Sequence, residues 1–232
     1  MTLVALLGDP WLGSLLGCPA YHVPSSMELL SPEMLPSGAA FVDAKVGVKH
    51  LKKLHHLEQL GFRLIDTNLQ LRCQPRFVSD GVSEGCRLAR AEDEDQVTAI
   101  AAQSFEVSRF HLDTKISNVL ANRIKAAWAK NFFAGQRGDW MVVAEVQGKV
   151  VGFLQLLQGQ DQSLIIDLLA VAPSHRGKGL ARAMITHAAN TCLGVSGTMQ
   201  VGTQVANIPA LKLYLDLGFR VERAAYVLHL HL

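Results

Sequence analysis

The 232-residue sequence is poor in several of the features that usually betray a function class. Its four cysteines, Cys18, Cys73, Cys86 and Cys192, stand far apart with no C-x-x-C pair. That spacing suggests neither a zinc site nor a disulfide framework, and it reads as reduced core thiols. An excess of either charge is lacking too: Lys and Arg total 22 against 20 Asp and Glu, a formal net charge of +2. So even a balance does not imply nucleic acid as the main partner, although it leaves room for a local basic pocket. No uninterrupted apolar run approaches the ~20 residues that span a bilayer, and the leading MTLVALLGDPW has no basic n-region. A soluble cytoplasmic protein is the expectation.

What is present suits a globular chain: 49% of residues are apolar and 18% charged, enough to bury a full core in one or two domains. Residues 1–80 read as a smaller α/β unit. Trp11–Val23 is strand-like but broken by Gly13, Gly17 and Pro19, and a Ser- and Pro-rich loop follows. Ala39–Val46 reads as a strand. Val48, Leu51, Leu54, Leu57 and Leu60 fall at helical spacing up to Gly61, and Phe62–Leu71 returns to a strand. Gln74–Gly85 reads as a linker.

Residues 86–232 form the larger unit. Its pattern is a strand from Cys86, two amphipathic helices with Val97 and Ile100, then Ile116, Leu120, Ile124 and Ala127, on their inner faces, and strands Trp140–Val146 and Lys149–Leu157 joined at Gln147-Gly148. Strand Ser163–Val171, a helix with Leu180, Met184, Ala188 and Cys192 inward and ended by Gly194, strand Thr198–Thr203, helix Asn207–Leu217 and one or two strands over Phe219–Leu232 complete it. The segment LEQLGFRLIDTNLQL from Leu57 repeats the pattern of YLDLGFRVERAAYVL from Tyr214, with Gly61 and Gly218 at matching places. Either a helix-Gly-strand junction has simply recurred, or the first unit is a degenerate half-copy of the second.

The stretch that organises the chain is DLLAVAPSHRGKGLA, from Asp167 to Ala181. An apolar strand, a turn with two glycines and a helix start bring unpaired backbone N–H groups and the positive end of a helix dipole together, an arrangement suited to a phosphate or diphosphate. Arg176 and Lys178 add charge.

This stretch resembles motif A of the GCN5-related N-acetyltransferases, whose loop follows Gln/Arg-x-x-Gly-x-Gly/Ala. Its positions here are Ser174, His175, Arg176, Gly177, Lys178 and Gly179, with Ser174 departing from the pattern. The resemblance implies a mixed, mostly antiparallel sheet flanked by helices. It also implies acetyl-CoA as cosubstrate, its diphosphate held by Arg176, Gly177, Lys178, Gly179, Leu180 and Ala181 and its thioester carbonyl met by backbone amides of Leu169, Ala170 and Val171. In NIPALKLYLDLGF, Asn207 would meet the pantetheine arm, and Tyr214, two turns on along the same face, would protonate the leaving thiolate.

Asp167 on that strand and His111 on the acceptor loop are the candidate general bases, with a purely structural role for Asp167 and a water relay as open alternatives. In SRFHLD, the loop that walls the acceptor site in such enzymes, Arg109, Phe110 and His111 are the candidate acceptor contacts. SFEVSRF, LEQLGF and the run Val201–Leu228 resemble more narrowly the dTDP-fucosamine acetyltransferases. That implies a nucleotide-linked amino sugar as acceptor, set against a peptide N-terminal acetyltransferase or a non-catalytic acyl-CoA-binding module. No metal is expected, since His229 and His231 have no third ligand spaced to help them. The apolar run AYVLHLHL reads as an edge strand, and with the resemblance it favours a homodimer.

Overall fold

The computed structural model describes residues 5–75, 85–193 and 197–232. After a short strand β1 (Leu7–Gly8), the chain enters helix α1 (Pro10–Leu16) because the sequence caps it at both ends. Asp9 accepts the Leu12 N–H at 2.9 Å, Pro10 takes a position needing no N–H, and Gly17 closes the helix at φ 78°. These signals override the strand expected over Trp11–Val23, of which only β2 (Ala20–Val23) is formed.

Strand β3 (Phe41–Gly47), helix α2 (Leu51–Gln59) and strand β4 (Arg63–Cys73) follow, each close to the segment the periodicity marks. Next are β5 (Cys86–Leu88) and helices α3 (Glu94–Ser104) and α4 (Asn118–Phe133). Strands β6 (Trp140–Val146) and β7 (Lys149–Gln158) form the expected hairpin, its turn held by Gln147 at φ 52° and Gly148 at φ 75°. The remaining elements are β8 (Leu164–Val171), α5 (Leu180–Cys192), β9 (Met199–Gln204), α6 (Ile208–Asp216) and β10 (Arg220–His231). Most of the expected linker and Gly194 lie outside the described residues.

All ten strands share one sheet in the order β1-β2-β3-β10-β4-β9-β8-β7-β6-β5. Only the β2–β3 and β8–β9 pairs are parallel, so the sheet is mixed and mostly antiparallel, with helices on its faces. The division at residues 80–86 is therefore not a division of the sheet. Strand β10 lies between β3 and β4, and β4 continues the sheet onto β9. The run AYVLHLHL is accordingly an interior strand rather than an edge: β3 satisfies one side of its backbone and β4 the other. An open edge at this strand no longer argues for a dimer.

The two helix-Gly-strand copies, α2–Gly61–β4 and α6–Gly218–β10, pair with each other through their strands. Gly61 and Gly218 turn at φ 96° and 82°, where a side chain would be strained, and Phe62 and Phe219 follow them into the core. The cysteines are free thiols; Cys73 and Cys86 are buried, and burial pushes Cys73 up to about 12.

One long-range contact ties the loop before α4 to β10. Asp113 accepts hydrogen bonds from His229 Nδ1 and His231 Nε2, both at 2.7 Å. Burial works against the charge, but these bonds hold the Asp113 carboxyl well below the usual range. A lowered carboxylate pKa stabilises the fold fully above about pH 4, its unfolded value, and that contribution is lost as pH falls. Asp113→Ala is expected to lower unfolding free energy by roughly 3 kcal/mol at pH 7. In urea titrations the deficit should shrink below about pH 4; a deficit independent of pH would show that the contact is not ionic.

Candidate active site

The site begins where two parallel strands part. The β8–β9 ladder covers only Leu164↔Met199, Ile165↔Gln200 and Ile166↔Val201. β8 stays paired with β7 as far as Val171, so its other edge, from Asp167 to Val171, has no strand partner. Leu169, Ala170 and Val171 stand on that open edge. A cavity of about 830 Å³ passes through the gap, with Tyr214 and the glycine loop towards one side of the sheet and Arg109, Lys125 and Arg137 towards the other.

The glycine loop is built as a cradle. Gly177 and Gly179 sit at φ 75° and 79°, and open space lies where a Cβ would stand. Gly179 is the N-cap of α5 and offers no side chain, so the N–H groups of the first turn have no intrahelical or side-chain partner. Leu180 and Ala181 line the cavity with these glycines. The arrangement fits a diphosphate in electrostatics and in space. The flanking cations are placed differently. Arg176 spans the loop to α3, donating to Ser104 O at 2.8 Å, Glu106 Oε1 at 3.2 Å and Val171 O at 3.3 Å, so it braces the cradle. Lys178 is exposed and not on the cavity wall, whereas Arg182 in the first turn of α5 is on it.

Helix α6 brings Asn207 and Tyr214 to the wall. Asn207 caps it, Oδ1 accepting the Ala210 N–H at 3.3 Å, and Pro209 sits in the first turn. Tyr214 is 3% exposed with its ring 5.4 Å from that of Phe219, and among the described residues its hydroxyl has no hydrogen-bond partner. Burial pushes the phenol well above its usual value, so the group keeps its proton.

On the opposite side, Arg109 and Phe110 reach the cavity and His111 does not. Arg109 lies over the Phe110 ring at 4.6 Å and pairs with Asp43 of β3, which also accepts from His22. His111 is held between Ser108 Oγ at 2.6 Å and Asn122 Oδ1 at 2.9 Å. Burial lowers its pKa, so the ring stays neutral and braces the loop.

Asp167 faces this side with both oxygens engaged. Arg137 donates to them at 2.8 and 2.7 Å, Trp128 Nε1 at 2.9 Å and Gln155 Nε2 at 3.1 Å. Oδ2 takes three of these bonds and Oδ1 one, so they fix the orientation of the carboxylate and leave acceptor capacity on Oδ1.

Sequence reasoning missed Lys125, Trp128 and Arg137 on the wall. A signal for Lys125 existed: Ala121, Ile124, Lys125 and Ala129 are the buried stripe of α4, so the lysine occupies an inward position. Asp66 was missed as well. It lies two residues before Asn68, hence on the same face of β4, with burial raising its carboxyl pKa and Oδ2 unpartnered among the described residues. The fold also supplies what His229 and His231 lacked in sequence. Asp113 brings a third potential donor, all within 4.8 Å, although here the three are joined by hydrogen bonds.

Asp167→Asn is expected to cost roughly 2 kcal/mol of stability, discounted for the exposure of Arg137. The acid limb of the pH–rate profile should stay where it is in the parent. A variant folding as tightly as the parent but lacking that limb would make Asp167 the base.

Comparison with known proteins agrees with the geometry. A model described as the acetyltransferase (GNAT) family matches residues 92–219. A spore coat polysaccharide biosynthesis protein, SpsD, of Bacillus subtilis is 33% identical over 139 residues, 60% of this chain and 47% of that protein, so the chain spans about half its length. A dTDP-fucosamine acetyltransferase of Escherichia coli is 28% identical over 210 residues, 90% of this chain and 89% of that protein. A solved GCN5-related N-acetyltransferase from Sphaerobacter thermophilus superposes with a TM-score of 0.54 at 15% identity, over 86% of this chain and 62% of that one, a likeness of fold alone. With the family model matched across more than half of its residues, this chain belongs to the acetyltransferase (GNAT) family.

Proposed function

We propose that the chain moves the acetyl group of acetyl-CoA to the amine of a nucleotide-linked amino-deoxy sugar, with the 4-amine of 4-amino-4,6-dideoxygalactose as the specific acceptor and dTDP as its carrier. The observation that carries the reading is the charge of the acceptor half of the cavity, lined by Lys45, Arg109, Lys125 and Arg137. An anionic acceptor suits that wall; a peptide N-terminus brings no such charge. The relative named dTDP-fucosamine acetyltransferase, aligned over 90% of this chain, supports the same substrate class. A cytoplasmic location and a homodimer belong to the same proposal. No helix among the described residues is long and apolar enough to cross a membrane.

In this reading the amides of Gly177, Gly179, Leu180 and Ala181 bind the diphosphate of the cosubstrate. Asn207, its Oδ1 used by the cap, keeps Nδ2 for the pantetheine arm. Backbone N–H groups between Leu169 and Val171 meet the thioester oxygen as it gains charge. The neutral amine attacks the carbonyl carbon, a C–N bond replaces the C–S bond, and Tyr214 gives its proton to the departing sulfur. The amine's surplus proton leaves through water.

A phenol of reference pKa ~10 facing a thiol of ~8.5 gives up its proton only as negative charge builds on sulfur. Tyr214→Phe should therefore lower kcat by roughly 10²-fold or more, with acetyl-CoA affinity preserved. Unchanged turnover removes Tyr214 from the mechanism. The acceptor is tested by comparing kcat/KM for nucleotide-linked amino sugars, the same sugars without nucleotide, and short peptides. The nucleotide-linked sugars are expected to win, and a preference for peptides overturns the reading.

A further inference from the structure

The acceptor half of the cavity holds unbalanced positive charge. Of its four cations, Arg109 is paired with Asp43 and Arg137 with Asp167. Among the described residues, Lys45 and Lys125 have no carboxylate partner.

Lys45 is exposed, so water serves it. Lys125 is different: it is 8% exposed and stands on the inward stripe of α4. Its Nζ lies 4.8 Å from the ring centre of Phe105 and 4.7 Å from that of Trp128. Two aromatic faces compensate part of the charge, but they accept none of the ammonium's three N–H donors in the ordinary sense. Burial, with Arg109 and Arg137 beside it and only Asp167 pulling the other way, pushes the group down to about 8. The ammonium borders the cavity and, among the described residues, has no protein acceptor; holding a charge where so little water reaches it is costly. It is a poor choice for stability alone, since methionine would fill the same space. The side chain faces a cavity, and the missing counter-charge has a route in.

We propose that Lys125 anchors an anion subsite in the acceptor half of the cavity, taking the diphosphate that links nucleoside to sugar, with Lys45 as the second cation. The proposal rests on the nucleotide-linked acceptor read above and names the residue that selects for it. A diphosphate diester carries two negative charges at neutral pH, matching the two cations left unpaired. A single carboxylate would leave one of them uncompensated. Binding also removes the desolvation penalty that the free protein bears at Lys125, so discrimination against an uncharged acceptor follows from the same group.

The test is titration calorimetry on the full chain saturated with coenzyme A, which fills that nucleotide's own site. A nucleoside diphosphate and its parent nucleoside are the probes. The parent protein should bind the diphosphate at least ~10-fold more tightly than the nucleoside, the scale of a hydrogen bond to a charged group. Lys125→Met should remove most of that difference while leaving nucleoside binding and coenzyme A affinity unchanged, the latter showing that the variant is folded. If it is not folded, Lys125→Gln is read in the same way. A variant binding the diphosphate as the parent does overturns the role of Lys125 and leaves the nucleotide-linked acceptor standing. A parent protein that binds no nucleoside diphosphate yet acetylates nucleotide-free amines overturns both.

Discussion

Two parallel strands that separate after three residue pairs decide where everything else in this active site stands. While β8 and β9 are paired their backbone groups satisfy each other. Beyond Ile166 that edge of β8 must find other partners, and it faces the cavity that opens in the gap. The same parting opens a passage through the sheet, so a cosubstrate held on the α5–α6 side and an acceptor on the α3–α4 side can meet. The glycine loop follows from that geometry: after β8 ends at Val171, a 3-10 turn at Pro173–His175 and the loop carry the chain to the N-terminus of α5, whose first amides have no side-chain cap.

Charge is distributed unequally along this passage. Towards the cofactor, backbone amides of the glycine loop stand beside Arg182, while Arg176 braces the loop against Ser104 and Glu106. Towards the acceptor, side chains dominate, and the anionic ones are spent on holding Arg109 and Arg137 in place. The carboxylate most visible in the sequence, Asp167, is tied to Arg137, Trp128 and Gln155. The buried phenol of Tyr214 packs on Phe219, and among the described residues its hydroxyl has no hydrogen-bond partner.

The first eighty residues contribute to the site because β10 is inserted among their strands. With β3 and β4 on either side of β10, Asp43 and Lys45 come to the acceptor face, and Asp43 links Arg109 to His22. The helix-Gly-strand copies meet as neighbouring antiparallel strands, so the segment that looks like a small domain in sequence supplies four of the ten described strands of this sheet.

By itself the sequence determined whatever depends on near neighbours. The helical spacing of Leu51, Leu54 and Leu57, the turn at Gln147-Gly148, the loop from Arg176 to Gly179 and the pairing of Asn207 with Tyr214 on one helix are all written within a dozen residues. The same locality misled where caps outweighed composition, as at Asp9 and Pro10, which make a helix of a segment with strand character. Tertiary structure alone decided what depends on distant partners. His111 and Asp167 are held by Asn122 and Arg137, Asp113 found His229 and His231 across 116 and 118 positions, and β10 became interior because β3 and β4 pair with it on either side. Lys125 lies between the two cases: its place on the inward stripe was legible, but only the fold shows that among the described residues no carboxylate pairs with it, because counter-ions are matched in space and not along the chain.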